Sequence, residues 1–231
     1  MNGKRGQEWG IMALLFAAAL GIRLLLNDFH PPGLWYDEAI NGLDALEMLR
    51  DRAPRIFFTT DNHPREPFFM YLLAGLYLFF KPTVFILRGA SGLMGALTVP
   101  VVYRLARAGG WDRRAALLSA LSLLFMRWHI HHSRLAFRGI LIPLWYSLSL
   151  LLLFRAAEGR KWRMWALAGA VTGLGFYTHL TFRLAPFLLL AAAWRLWASG
   201  SIRMKRDRRG LAAFAAALVV VFLPLGIDYF I

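Results

Sequence analysis

What most narrows the folds open to this chain is the length of its apolar runs. They fall at 9–26, 67–80, 83–103, 115–130, 139–154, 162–180, 182–198 and 211–227. A bilayer core of about 30 Å is crossed by about 20 residues of helix at 1.5 Å rise each, so most of these runs have spanning length. Hydrophobic residues make up 58% of the sequence, and they are gathered in blocks where a soluble domain would spread them. The chain is therefore read as an all-α, polytopic membrane bundle. Arg23, Arg88, Arg127 and Arg183 lie inside the blocks, and each then requires a partner or an aqueous exit.

A net charge of +14 invites a nucleic-acid reading, but its distribution argues against one. Fifteen of the 27 basic residues sit in four short segments between blocks: Lys4 and Arg5; Arg104, Arg107, Arg113 and Arg114; Arg155, Arg160, Lys161 and Arg163; Arg203, Lys205, Arg206, Arg208 and Arg209. Such segments orient membrane helices, and the positive-inside rule places all four in the cytoplasm. A nucleic-acid footprint needs a continuous polar face, for which this chain has little surface. An even number of crossings must separate the first patch from the second, yet three blocks lie between them. The 67–80 block, which reaches only about 21 Å as a helix, is the one taken not to cross but to lie at the outer interface. That leaves about seven spans, an uncleaved first span with its N-terminus in the cytoplasm, and outer loops at 27–82, 131–138 and 180–183. The absence of cysteine excludes disulfides and thiolate metal sites.

Eight of the 13 acidic residues fall in the first outer loop, 27–82, and a loop of that length is usually functional. Ile40, Leu43, Leu46 and Leu49 recur every three residues, with Asp44, Glu47 and Asp51 on other faces. This predicts an amphipathic helix lying in the interface plane. Trp35-Tyr36-Asp37-Glu38 opens it. Asp37 there caps the helix and Glu38 favours its positive end, or the two are a paired carboxylate with one member acting as general base. Both readings hold together, since a capped aspartate is a well-oriented one. In Asp61-Asn62-His63-Pro64-Arg65-Glu66-Pro67, Arg65 and Glu66 form either a surface ion pair, worth about 0–1 kcal/mol, or a phosphate-binding arginine beside a carboxylate that positions substrate or metal.

Further along, His129-Ile130-His131-His132-Ser133-Arg134 leads into Leu135-Ala136-Phe137-Arg138. The histidines suggest a metal without the paired spacing that defines one. Arg134 and Arg138, four apart, would share a helical face suited to a phosphate or pyrophosphate, or else snorkel to lipid head groups. Arg183, closing Tyr177-Thr178-His179-Leu180-Thr181-Phe182-Arg183, leaves the same choice. A bound anionic lipid head would reconcile these arginines with the acidic loop. Gly169-x-x-x-Gly173 and Ser91-x-x-x-Gly95 read as faces for close helix packing.

Taken in order, five stretches resemble the bacterial protein O-mannosyltransferase-like membrane glycosyltransferases of the GT-C fold (family 39 and the aminoarabinose-transferase-like enzymes). They are Trp35-Tyr36-Asp37-Glu38-Ala39, Arg65-Glu66-Pro67-Phe68-Phe69-Met70-Tyr71-Leu72, Leu87-Arg88-Gly89-Ala90-Ser91, the 128–138 segment and the 173–186 segment. The resemblance covers nearly the whole chain. It implies inverting transfer of a sugar from a polyprenyl-phosphate carrier to a protein, lipid or glycan acceptor at the outer membrane face. Asp37 and Glu38 would supply the catalytic carboxylate, with Asp37 the general base. His63, Arg65, Glu66, Arg134, Arg138, Tyr177 and Arg183 would surround substrate and phosphate. Where the aminoarabinose transferases carry a second-loop aspartate, this chain has Ser133, Arg134 and Arg138; their Glu-Lys-Pro becomes Arg65-Glu66-Pro67. That carboxylate does not carry over, and a metal-binding role for Glu66 is left open together with a divalent metal. Residues 1–231 would form one domain, a truncated piece of a longer enzyme. Two other classes stay in view: a transporter or flippase for lipid-linked sugars, against which no internal repeat is visible, and an accessory membrane subunit.

Overall fold

The computed structural model of the chain describes residues 2–25, 27, 29–52, 54–58 and 64–230. Among these are ten α-helices: α1 (Asn2–Leu24), α2 (Tyr36–Asp51), α3 (Phe68–Tyr77), α4 (Val84–Ala108), α5 (Arg113–Phe125), α6 (Arg127–Ser133), α7 (Leu141–Gly159), α8 (Trp162–Gly175), α9 (Ala185–Ala198) and α10 (Met204–Phe230). Single 3₁₀ turns precede α7 and α9, and one antiparallel bridge joins Phe58 to Arg65. The all-α membrane architecture read from the apolar runs is the observed one.

Five stretches are long and apolar enough to cross a bilayer: Gly6–Leu24, Val84–Ala108, Arg138–Gly159, Leu180–Ala198 and Met204–Asp228. The other two of the seven expected crossings form shorter helices. The 115–130 block breaks at the extended residue Met126 into α5 and α6, of 13 and 7 residues. The 162–180 block stops being helical after the 14 residues of α8. Helix α3, at 10 residues, reaches about 15 Å and cannot cross, in keeping with the short 67–80 block.

By internal contacts the chain divides into two compact units, Met1–Leu144 and Trp145–Ile231. In the first, α1 and α5 pack on α4 around Ala19, Ala96, Val99, Tyr103, Ala120 and Leu124. The small face of α4 is what admits its neighbours. A Cβ on Gly92 would fall 2.9 Å from Leu24, and one on Gly95 would collide with the Ser133 side chain. In the second unit α8 lies along α10. A Cβ on Gly169 would strike the Phe214 carbonyl, and one on Gly173 would meet Val221 at 2.9 Å. Both small-residue motifs are therefore helix-packing surfaces.

Helix α2 forms where expected but presents a different face. Its buried residues are Glu38, Ile40, Asn41, Gly42, Asp44, Ala45 and Met48, while Leu43 and Leu46 are exposed. A helix advances about 100° per residue, so a three-residue recurrence lags by about 60° at each step and leaves Ile40 and Leu49 about 180° apart. The four residues therefore do not share one stripe, and Asp44, expected on a polar face, is buried. Nor does Asp37 cap the helix. The N-cap is Trp35, Asp37 lies exposed in the first turn, and Glu38 accepts the Trp35 N–H at 3.1 Å. That is the carboxylate half of a capping box, the indole having no acceptor to return.

Candidate functional site

Arg88, one turn into α4, is fully buried and uses every N–H that its guanidinium owns. Nε and Nη2 donate to the two oxygens of Glu38 at 2.9 and 3.0 Å. Nη1 donates to the carbonyls of Asn27 and Pro31 at 3.2 and 2.7 Å, and Nη2 also to that of Gly33. Gly33 sits at φ 74, where a side chain would be strained. One arginine thus ties the loop leading into α2 to the helix it opens.

Glu38 is equally saturated. Besides Arg88 it accepts the backbone N–H groups of Trp35 and Ala136, the latter at 2.9 Å. Four donors fill the lone-pair sites of a carboxylate, so Glu38 has no oxygen left for a substrate proton. Its neighbour Asp37 is exposed, and its charge lies within electrostatic reach of Arg138. The acidic pair is split into a buried anchor and a presented carboxylate.

Two further ion pairs, one buried and one half-buried, flank this anchor. Arg65 contacts Asp44 at 2.8 Å, and Glu66 accepts from Arg138 at 2.8 Å. Arg65 and Glu66, considered as a surface pair, are both buried and partnered elsewhere. The bridge from Arg65 to Phe58, with N···O distances of 3.1 and 2.9 Å, holds their segment. Arg55 binds Glu47 and Asp51 nearby. Much of the acidic loop is therefore neutralised by the protein's own arginines, without a lipid head.

Arg134 and Arg138 do not share a helical face. Helix α6 ends at Ser133, because α2 captures the backbone beyond it. Ala136 gives its N–H to Glu38, and its carbonyl accepts from Asn41 Nδ2 at 2.8 Å. Arg138 turns to Glu66, whereas Arg134 donates to the Leu25 carbonyl at 2.6 Å and lines a cavity of about 420 Å³. Arg127, His30 and His131 line the same cavity, with Phe125, Ile130 and Pro31 as its apolar wall. Among the described residues neither Arg127 nor Arg134 has an acidic partner.

The histidines diverge. His129 is buried, its Nδ1 accepting from Arg23 at 2.8 Å, and Arg23 also donates to Ser133 and to the Ala19 carbonyl. His131 faces the cavity, and His132 stacks with Trp128 at 5.1 Å. Among the described residues no three His, Asp or Glu side chains gather around one point. With Glu66 held by Arg138, this donor set does not fit a divalent ion. His63 lies outside the described residues. Tyr177 and Arg183 belong to the second unit. The Tyr177 hydroxyl donates to the Val221 carbonyl at 2.8 Å and accepts the Leu225 N–H at 3.2 Å, inserting into the ladder of α10 beside Pro224. Arg183 is exposed in the 3₁₀ turn before α9.

Sequence reasoning left Arg88 and Asp44 out of the site. The signal for Arg88 was present, since an arginine inside an apolar run demands an acid on its own side of the membrane. Asp44 carried none, being masked by the misread face of α2.

Residues 62–227 match the family model for dolichyl-phosphate-mannose-protein mannosyltransferases. The undecaprenyl phosphate-alpha-4-amino-4-deoxy-L-arabinose arabinosyl transferase 2 of Pseudomonas fluorescens is 29% identical over 233 aligned positions. The alignment covers 96% of this chain and 37% of that protein, so the chain spans little more than a third of the curated relative's length. A family match over most of a multi-pass helical chain leaves one conclusion: this protein belongs to the dolichyl-phosphate-mannose-protein mannosyltransferase family of GT-C membrane glycosyltransferases.

Proposed function

We propose that this chain carries the base and the phosphate-holding cations of a glycosyltransferase that uses a polyprenyl-phosphate-linked sugar, working at the outer membrane face with inversion. The observation that carries this reading is the division of the acidic pair: Glu38 is locked by four donors and Asp37 is left exposed on the helix so fixed. An acceptor hydroxyl oxygen attacks the anomeric carbon from the face opposite the phosphate. Its proton passes to an Asp37 oxygen as the new C–O bond forms, and the bond to the phosphate oxygen breaks with its electrons leaving on the phosphate.

The carrier goes from a phosphodiester to a phosphate monoester and gains negative charge as it leaves. Cations that meet that charge stabilise the transition state more than the bound donor. The cavity beside Arg127 and Arg134 offers such cations next to the apolar Phe125 and Ile130, a combination suited to a phosphate on a prenyl chain. Arg65 and Arg138, both in ion pairs, then serve to hold the loop. The outer-face assignment rests on the positive-inside reading of the four basic segments.

The test is Asp37→Asn in the full-length protein, with polyprenyl-phosphate-linked sugar as donor. Transfer should fall by about 10²–10⁴-fold, the contribution of a positioned general base, with membrane insertion unchanged. Activity near wild type would overturn the assignment.

A further inference from the structure

The second unit holds a cavity of about 460 Å³ at the meeting of α8 with α10, and the proposed transfer reaction makes no use of it. Five cations line it: Arg160, Lys161, Arg163, Arg206 and Arg209. Its one carboxylate, Asp207, is buried and already engaged, by Arg206 at 2.7 Å and by the Arg203 N–H at 2.8 Å. Among the described residues the other four cations have no acidic partner in an ion pair, so the cavity carries an uncompensated positive charge.

Three features show a built site and not merely a basic surface. Trp165 forms a wall of the cavity and is 1% exposed, and its indole N–H has no hydrogen-bond partner. A buried donor left unmade costs stability unless something else accepts from it. Residue 210 is glycine where a Cβ would fall 2.6 Å from that nitrogen, so α10 brings only backbone to the indole edge. Helix α8 begins at Trp162 with no side-chain cap at Lys161, and its N-terminus adds the positive end of its dipole. The turn into it sets Arg160 at φ 54, a left-handed conformation that a side chain adopts at a cost.

The position identifies the ligand. These residues lie at the ends of two spanning-length stretches, Arg138–Gly159 and Met204–Asp228. Trp162 is exposed beside them, with the Arg163 guanidinium 5.7 Å over its ring, as at the level of lipid head groups. On the positive-inside reading this end faces the cytoplasm, where anionic lipids concentrate and basic pockets between helices take their heads. We infer that the cavity is a binding site for the phosphodiester head of an anionic phospholipid, which accepts from the Trp165 N–H and is balanced by Arg160, Lys161, Arg163 and Arg209.

The experiment uses the purified full chain, washed in detergent and then offered vesicles of phosphatidylglycerol, vesicles of phosphatidylcholine, or inorganic phosphate, with bound lipid counted by native mass spectrometry. Wild type should retain phosphatidylglycerol over phosphatidylcholine. Arg163→Gln with Arg209→Gln should cut that retention by about 30-fold, as expected for two cations near a charged membrane. Both side chains are exposed, so the change opens no core. Trp165→Phe, which removes the N–H without altering charge, should lower retention by about fivefold for one hydrogen bond. Equal retention of the two lipids, or an unchanged preference in the double variant, overturns the site. Retention that survives Trp165→Phe overturns the built site in favour of diffuse surface charge. Should Trp165→Phe misfold, the indole N–H resonance of Trp165 in the wild type is followed instead, and a position unmoved by phosphatidylglycerol overturns the built site in the same way. Occupancy by inorganic phosphate with no preference among lipids overturns the lipid as source.

Discussion

Replacing Glu38 by Gln separates an anchor from a catalyst. A glutamine in the same place keeps one carbonyl oxygen, enough for the Arg88 Nε–H and the Ala136 N–H. Its NH₂ then faces the Trp35 N–H and the second Arg88 donor, which formerly met Oε2 at 3.1 and 3.0 Å. Arg88, fully buried, is left without a counter-charge. Removing one partner of a buried pair costs about 3–5 kcal/mol. For a chain of this length each kcal/mol moves the melting temperature by about 2–4 °C, so the midpoint should drop by about 6–20 °C. Intrinsic tryptophan fluorescence on heating in one fixed detergent reads this directly. Asp37→Asn, at an exposed position, should shift the midpoint by no more than about 2 °C. Arg88→Met, made alone and in the Glu38→Gln background, completes a cycle whose coupling should be about 1–3 kcal/mol. A midpoint for Glu38→Gln within 2 °C of wild type, or equal destabilisation by Asp37→Asn, would refute the anchor.

The other predictions concern the cavity, the packing and the inserted hydroxyl. Arg134→Ala in the full-length enzyme should lower kcat, and kcat/KM with it, by about 10–100-fold, the worth of hydrogen bonds to a charged group, at nearly unchanged melting temperature. Arg138→Ala should instead lower the midpoint, because it strands the buried Glu66. Gly169→Ala should destabilise by about 1–3 kcal/mol through overpacking against Phe214, whereas Gly75→Ala, with open space around it in α3, should be neutral or stabilising by up to about 1 kcal/mol; paired melts distinguish them. Tyr177→Phe should cost about 1 kcal/mol and speed hydrogen exchange at the Leu225 amide, with the donor KM unchanged.

The membrane architecture was legible because it depends on something local. Run length alone predicts a spanning helix, and the requirement that Arg23 and Arg88 find partners follows from the same runs. The partners themselves were not legible. Glu38 meets Arg88 across 50 positions, Glu66 meets Arg138 across 72, and Ala136 reaches Glu38 across 98. No local pattern encodes pairings at those separations. The break between α5 and α6 at Met126 falls in a run with neither proline nor glycine nearby, so the sequence offered no signal for it. The error over α2 was of another kind, since a period of three was accepted where the helix demands 3.6.

That error bears on the acidic pair itself. Adjacent residues on a helix point about 100° apart, and i, i+1 neighbours do not face one another. Two adjacent carboxylates in a first helical turn therefore cannot close on one proton as a dyad. If one is driven into the protein, the other is turned toward its surface, and only the fold decides which. Here the choice falls on Glu38 because Arg88, Trp35 and Ala136 together supply four donors to the inward position. An aspartate there would be one methylene shorter and would fall short of some of them. Exchanging the two side chains, as Asp37→Glu with Glu38→Asp, keeps charge and composition. It should nevertheless lower the melting temperature nearly as far as Glu38→Gln, and a swap that melts like wild type would show that the inward carboxylate is held by charge alone.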